Sequence, residues 1–497
     1  VAEDDMAEMA GVNIAHPEKL FIGGAWVSPR DGGSLDLVNP NSEQIVATVA
    51  AAGNADMDAA VAAARAAFDT GPWPRMSPQQ RAGYLRTMAD WLEKRSGELG
   101  AAWTAQIGAL PFIAPMIVGE GVNGLRSAAD LADTFEFEKR HPSNRAECAL
   151  VVREPVGVVA AITPWNAPFP IMCNKVGPAL VAGCTVVMKP SPETPMEAYL
   201  IMEAGEAAGL PPGVLNLVPS DREAADHLVN NPGVDKVTFT GSTVAGRRIA
   251  QVCGGRMARY TLELGGKSAA IILDDYPTAA AAKLLANTIT VFSGQVCAML
   301  SRAIVPANRH DEMAEAIAHE MRQIRVGYSD APDTMMGPLA MKRQMERVQS
   351  YIDKGQEEGA TLVQGGGRPS HLNRGYFIEP TLFANVDNRS TIAQEEIFGP
   401  VLSLIPAEDL EDAIRIANES QYGLSGSVLT NDPDQAYRVA RRVRTGNVSQ
   451  NGMRADFNLP FGGFKMSGVG REGGAEGLMN YLETKTVLLD AAPSHIQ

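Results

Sequence analysis

Beyond Gly157 the chain alternates short, wholly apolar runs with amphipathic stretches. Val158-Val159-Ala160-Ala161-Ile162 predicts a buried strand, and Thr185-Val186-Val187-Met188 a second, followed by a helix from about Pro195 to Ala208. Val214–Val218 predicts a third strand, followed by a helix around Ala224 to Val229. Val237–Thr240 predicts a fourth, followed by a helix through Arg247 to Val252. Strands in strict alternation with helices imply a parallel α/β sheet with nucleotide-binding potential. A second α/β series, with strands near Ala269–Leu273, Ala303–Val305 and Val401–Pro406, predicts a separate catalytic domain. Upstream, Val61, Ala64 and Phe68 lie at helical spacing after Asp56-Met57-Asp58. Ser77-Pro78 reads as an N-cap with proline at the first helical position, opening a helix with Leu85, Met88 and Leu92 on one stripe. Residues 1–19 carry charge without periodicity and read as a frayed terminus. Residues 135–153 are polar, and Thr486–Leu489 is the last strand candidate; composition marks both only as peripheral.

A chain of 497 residues exceeds one ordinary core and suggests two or three domains. Hydrophobic residues at 45% and charged residues at 20% suit a soluble globular protein. The net charge of −15 argues against a polyanion-binding surface and hence against nucleic acid. No apolar run reaches the roughly 18 residues that span a bilayer. The acidic Val1–Asp5 start lacks the layout of a signal peptide. Five cysteines, Cys148, Cys173, Cys184, Cys253 and Cys297, form no C-x-x-C pair. A disulfide framework and a metal site are both disfavoured, and a reduced, cytoplasmic protein with one working thiol is expected.

That thiol is Cys297. Taken alone it reads as a core cysteine. It follows Phe292-Ser293-Gly294-Gln295-Val296 and lies 34 positions after Glu263 of Glu263-Leu264-Gly265-Gly266-Lys267. Pro164-Trp165-Asn166 and the run Glu395–Pro400 complete the set. A nucleophilic thiol, a carboxylate base and an amide donor are what acyl chemistry at a carbonyl needs. Further blocks are Glu154–Val158, Met188-Lys189-Pro190-Ser191, Phe239-Thr240-Gly241-Ser242-Thr243 and Pro460–Gly468. In this order the chain resembles the hydrolytic, NAD(P)-dependent branch of the aldehyde dehydrogenase superfamily, from about Leu20 to about Leu489.

The resemblance implies a Rossmann-like parallel-sheet cofactor domain (16–134 and 154–264), an α/β catalytic domain (265–466) and a small β oligomerisation arm (135–153 and 478–497). The expected assembly is a homodimer or homotetramer. It implies Cys297 as nucleophile, Asn166 as oxyanion donor and Glu263 as the base for deacylation, with Lys175 and Glu472 in a proton relay or simply a structural ion pair. Glu263 points to hydrolysis to a free acid rather than transfer to coenzyme A. For the cofactor it implies a groove lined by Ile162, Thr163, Trp165, Phe239 and Leu264. The diphosphate lies at Gly241-Ser242, the adenosine ribose at Lys189 and Ser191, the nicotinamide ribose at Glu396 and the ring at Phe398. A helix N-terminus after a strand suits a diphosphate even though no G-x-G-x-x-G occurs here.

Two departures bear on the cofactor. NAD-preferring relatives often carry a glutamate where this chain has Pro192, and Glu193 comes one place late. Arg222 follows the third strand and would meet a 2′-phosphate, or be an ordinary loop arginine. NAD is therefore expected, with NADP possible. Ala167, Val296, Ala298 and Phe457, with Phe169, Met172 and Val291, suggest a roomy apolar funnel for a medium-size apolar or aromatic aldehyde. The alternatives are an anionic semialdehyde met by Arg454, a catalytically idle crystallin-like protein on the same fold, and a cofactor-independent thiol hydrolase.

Overall fold

The structure is a computed structural model that describes residues 11–494 and residue 496. Its largest sheet has eight strands. The central five, Arg259–Glu263, Lys236–Thr240, Val158–Ile162, Thr185–Lys189 and Leu215–Leu217, run parallel in that spatial order. Val158–Ile162, Thr185–Lys189 and Leu215–Leu217 have no exposed residue, as expected for a parallel sheet covered on both faces by helices. The chain builds outward from Val158–Ile162 in one direction and then returns to its other side with Lys236–Thr240. The reversal point therefore lies between these two strands, where ligands bind in open α/β sheets, beyond the strands' C-terminal ends. Ile162, Thr163 and Thr240 stand at that crevice.

A second sheet of seven strands is ordered Thr361–Gln364, Thr381–Ala384, Val401–Ala407, Leu300–Pro306, Ser268–Ile272, Gly426–Leu429 and Ser449–Gln450. Every pairing in it is parallel except that of Thr361–Gln364 with Thr381–Ala384. A third sheet joins Leu482–Leu489 to Cys148–Pro155 and Glu138–His141, all antiparallel. The two peripheral segments thus pair as the resemblance implied, and the last strand begins four residues earlier than Thr486.

The expected helices are present with shifted ends: Met196–Ala207, Arg222–Asn230 and Thr243–Gly255. In the helix Pro78–Lys94, Ser77 Oγ accepts from the Gln80 N–H, and the Gln80 side chain accepts from the Ser77 N–H at 2.9 Å. This reciprocal cap satisfies two donors that a helix start leaves open. Leu85, Met88 and Leu92 on its inner stripe are wholly buried. Residues 11–19 correct the reading of a frayed terminus. Val12 and Ile14 are buried, and the backbone N–H groups of Asn13 and Ala15 donate to Glu98 and Glu203. Residues 1–10 lie outside the described residues. The hairpin Gly33–Asn39 with Gln44–Ala51 went unread, because only Leu37 of its first strand is buried and the alternation is faint.

Helix Ala114–Thr134 lies close against helix Pro168–Ala182. Side chains at Gly121 and Gly177 would collide with the Phe169 ring and with Ala128. Phe169 and Met172 belong to this buried core. They are correspondingly poor candidates for a substrate wall.

Leu85→Ala should remove about 2–5 kcal/mol of stability, the usual range for a leucine cavity in a core. A fall in the denaturant midpoint at unchanged slope checks this; an unchanged midpoint would show that the stripe can collapse without loss.

Candidate active site

The position of Cys297 is set by a forced turn. Helix Thr278–Thr290 gives way to Phe292, Ser293 and Gly294, with φ of 49°, 55° and 77°. Left-handed backbone at two bulky or polar residues is costly and persists only where the surroundings impose it. Here Ser293 Oγ donates to Gly337 O at 2.8 Å, and Gln295 Oε1 accepts from the Ala340 N–H at 3.0 Å. A Cβ on Gly294 would run into the Gly399 backbone. Cys297 follows, half-buried in an apolar patch with Val296, Ala298, Leu424, Met453, Phe457 and Phe461.

Asn166, just ahead of helix Pro168–Ala182, reaches the same loop from the other sheet. Its Nδ2 donates to Gln295 O at 2.9 Å, and its carbonyl accepts from Trp103 Nε1 at 2.9 Å. Glu263 ends its strand with 3% exposure, and neither carboxylate oxygen has a partner. Burial holds its carboxyl well above the usual range, and the charge of Glu472 adds to this against Lys175 and Arg471. The Cys297 thiol is pushed up to about 12 by loss of water, with Glu396 and Glu263 adding to the effect. The thiol is therefore not pre-ionised and needs a base.

Lys175 and Glu472 form a buried ion pair. Thr238 Oγ1 lies 3.3 Å from Lys175 Nζ and 3.3 Å from the Tyr481 hydroxyl. Glu472 is fixed in turn by a two-way backbone exchange with Phe461, at 2.7 and 2.8 Å. Thr238 and Tyr481 were missed in the sequence, since a strand threonine and a helix-end tyrosine carry no motif.

The crevice at the sheet's reversal point fits a dinucleotide. Thr163 Oγ1 and Thr240 Oγ1 are buried there without partners, which is rare unless a ligand or water completes the site. Ser242 caps helix Thr243–Gly255, so the free N–H groups and positive dipole end suit a diphosphate. A side chain at Gly241 would strike Phe239, and Leu264 packs over Gly246. Lys189 ends its strand, its ammonium lowered to about 8 by burial, with Glu193 and Asp221 opposing that shift. Ser191 donates to Glu193, which also pairs with Arg343. At the far end Glu396 Oε1 accepts from the Gly266 N–H at 3.1 Å, and burial raises its carboxyl to about 7. Phe398, held at φ 61°, meets Trp165 edge-on at 5.2 Å. Helix Lys342–Glu357 supports this end: Gln344 donates to Phe398 O and Arg347 to Glu396 O, both at 2.7 Å. Arg343, Gln344 and Arg347 were also missed, because an amphipathic surface helix gives no sign of which polar residues turn inward.

Besides Phe169 and Met172, which lie in the core, two further expected residues stand apart from this crevice. Arg222 is the exposed first residue of its helix, and Arg454 is exposed on the loop before Phe457. Ala167, Val296, Ala298 and Phe457 lie on the Asn166 and Cys297 loops as expected. Among the described residues no cluster of three or more potential metal ligands occurs.

Comparison with known proteins identifies the family. The profile of the Aldehyde dehydrogenase family matches residues 26–487. The chain is 46% identical to geranial dehydrogenase of Castellaniella defragrans, over 95% of this chain and 98% of that protein. It is 42% identical to 3-succinoylsemialdehyde-pyridine dehydrogenase of a Pseudomonas species, with the same coverage. A Mycobacterium tuberculosis aldehyde dehydrogenase complexed with NAD+ superposes with a TM-score of 0.93 at 43% identity, covering 97% of this chain and 99% of that one. A Pseudomonas syringae aldehyde dehydrogenase complexed with NAD+ and octanal gives 0.93 at 40% identity with the same coverage. The chain belongs to the aldehyde dehydrogenase family, and its activity is aldehyde oxidation.

The raised thiol gives a pH test. Below its pKa the thiolate fraction grows tenfold per pH unit, so alkylation of Cys297 by iodoacetamide without cofactor should climb continuously from pH 7 to 10. A plateau near pH 8 would show a thiol already ionised, contrary to the burial described.

Proposed function

We propose that the protein oxidises a medium-size, largely apolar or aromatic aldehyde to the carboxylic acid with NAD+, through a thiohemiacetal and a thioester on Cys297. One observation carries this reading: Glu263 is a buried carboxylate without partners, and the Asn166 amide donates to Gln295 O, two residues before Cys297.

Glu263, with its raised pKa, takes the thiol proton as the sulfur bonds to the aldehyde carbon. The Asn166 amide and the Cys297 backbone N–H donate to the new oxyanion, each such donor being worth roughly 3–4 kcal/mol in comparable sites. The nicotinamide of bound NAD+ supplies the hydride acceptor. Glu396 and Phe398 position it, and Gln344 and Arg347 hold their backbone. Glu263 passes that proton on towards the buried Glu472 carboxylate and, ionised again, takes a second proton from the water that hydrolyses the thioester. The Lys175–Glu472 pair accepts charge change behind Glu263 without opening the site to solvent.

Octanal in the P. syringae neighbour and geranial in the name of the Castellaniella relative support an apolar aldehyde. The small residues Ala167, Val296 and Ala298 leave room for it. Two neighbours bound to NAD+ support that cofactor. Glu193 supports it too: although one place late, it lies close enough to Lys189 to oppose the lowering of its pKa, where a carboxylate disfavours a 2′-phosphate. Arg343 offsets part of that charge, so NADP is used at reduced efficiency. The eight-, seven- and three-stranded sheets support a cofactor domain (16–134 and 154–264), a catalytic domain (265–466) and an arm (135–153 and 478–497) through which the chain forms a homodimer or homotetramer. Five unpaired cysteines suit a reducing compartment, the cytoplasm.

Cys297→Ala should abolish oxidation while changing NAD+ affinity only a few-fold. Glu263→Gln should strand the thioester. A burst of NADH near one equivalent, followed by a stall, would assign Glu263 to deacylation alone; a slow burst would assign it to thiol activation as well. Normal steady-state turnover in Glu263→Gln, or oxidation surviving in Cys297→Ala, would refute the mechanism.

Glu193→Gln should raise kcat/KM for NADP relative to NAD by roughly 1–3 kcal/mol, the scale of a removed like-charge contact. An unchanged ratio would place Glu193 outside the ribose site.

A further inference from the structure

A cavity of about 620 Å³ lies beside the seven-stranded sheet, apart from the crevice and the thiol described above. Its walls include Arg322, Tyr328, Gln364, His371, Glu379 and Pro380. Arg322 ends helix His310–Arg322, Gln364 ends strand Thr361–Gln364, and Pro380 immediately precedes strand Thr381–Ala384. The volume is that of an organic ligand rather than of a few waters. Some of the polar lining is already committed. Arg325 pairs with Asp333 at 3.3 Å, and His371 Nε2 donates to Val326 O at 3.0 Å. The rest is unspent. Among the described residues, the Arg322 guanidinium, the Tyr328 hydroxyl, the Gln364 amide and the Glu379 carboxylate have no hydrogen-bond or ion-pair partner. Glu379 is half-buried, so its carboxylate has given up water without gaining a donor.

The cavity opens at the same end of the sheet as Cys297. Thr381–Ala384, Val401–Ala407 and Leu300–Pro306 are neighbouring parallel strands, and Pro380 and Cys297 each lie just ahead of the first residue of an outer member of this trio. Two strand spacings, about 10 Å, separate those outer members. Both walls of the cavity continue into the contacts that lock the turn before Cys297. On one side the Thr381 N–H donates to Pro400 O at 2.8 Å, and Gly399, just before it, is the backbone that leaves no room for a Cβ on Gly294. On the other, Arg325 O accepts from the Met335 and Met336 N–H groups at 2.9 and 3.1 Å. The next residue, Gly337, accepts from Ser293.

We infer that this cavity is a second ligand site, for a ribonucleoside monophosphate, and that its occupation steadies the Cys297 loop. One free cation and one free carboxylate call for a ligand with an anionic group and, apart from it, hydrogen-bond donors. A phosphate on Arg322 makes charge-assisted bonds. The ribose diol donates to Glu379. The base lies against the partly exposed Tyr328 ring and the apolar walls of Val326, Leu372 and Pro380. An amino acid would satisfy both charges but leave much of the cavity unfilled. A ligand that ties the two walls together restrains both locks of the turn. A steadier loop opens less often to expose the half-buried thiol.

The probe is AMP, titrated calorimetrically into enzyme saturated with NAD+, so that the cofactor crevice is already filled. Wild type should bind it with a dissociation constant below about 1 mM. Adenosine, which lacks the phosphate, should bind at least roughly tenfold more weakly, the usual cost of losing a hydrogen bond to a charged group. AMP should weaken to a similar extent on Arg322→Ala and on Glu379→Gln. Both substitutions lie outside the cofactor crevice and the thiol loop, so unchanged NAD+ affinity verifies that the variants are folded. In the same NAD+-saturated enzyme, AMP should slow alkylation of Cys297 by iodoacetamide about fivefold, the low end of coupling between sites. It should have no such effect in Arg322→Ala. Failure of AMP to bind NAD+-saturated wild type, equal binding by the two variants, or an alkylation rate unchanged with AMP bound overturns the inference.

Discussion

The site depends on two glycines. Side chains at Gly265 and Gly266 would overlap the Glu396 carboxylate and the Cys297 carbonyl respectively. Because both positions are bare, the loop leaving the first sheet lies directly against the nucleophile loop and the Glu395–Pro400 segment of the second. The carboxylates of Glu263 and Glu396, proposed above as base and cofactor ligand, are thereby brought to one place by backbone proximity. No long side chain has to bridge the gap, so little conformational entropy is lost in holding them.

Around this contact, charge is buried with few partners. Glu263 has none, Lys267 Nζ has none, and Glu396 has a single backbone donor. Lys267 is lowered to about 7, chiefly by burial, and Glu396 is raised to about 7 for the same reason. Such groups destabilise a fold. At the junction of the two sheets they stand together, beside the thiol of Cys297.

Much of this was legible in the sequence for physical reasons. Strands buried on both faces write themselves as unbroken Val, Ala and Ile runs, so Val158–Ile162 and Thr185–Lys189 could be found within a residue. The nucleophile, base, amide and ribose ligands sit in short blocks whose order resembles one family. Less legible were features made by tertiary contact. The hairpin Gly33–Ala51 has one weakly buried face. Thr238 and Tyr481 join the relay only because Lys175 approaches from a helix far away in sequence. Arg343, Gln344 and Arg347 lie on an amphipathic helix whose pattern shows which face is buried but not what that face holds. Phe169 and Met172 looked like funnel residues because they follow Asn166, yet helix rotation carries them into the core.

The turn Phe292–Gly294 has a further meaning. Its left-handed residues are locked by Gly337, Ala340 and the Gly399 backbone, none of which belongs to the apolar patch around Cys297. The Cys297 loop is thus anchored by residues other than Ala167, Val296, Ala298 and Phe457, the ones proposed above to meet a substrate. The contacts that hold the turn and the side chains proposed for the funnel are therefore different residues. Substitution at Ala167 or Phe457 would then redraw the proposed funnel while leaving the contacts of Ser293, Gly294 and Gln295 in place.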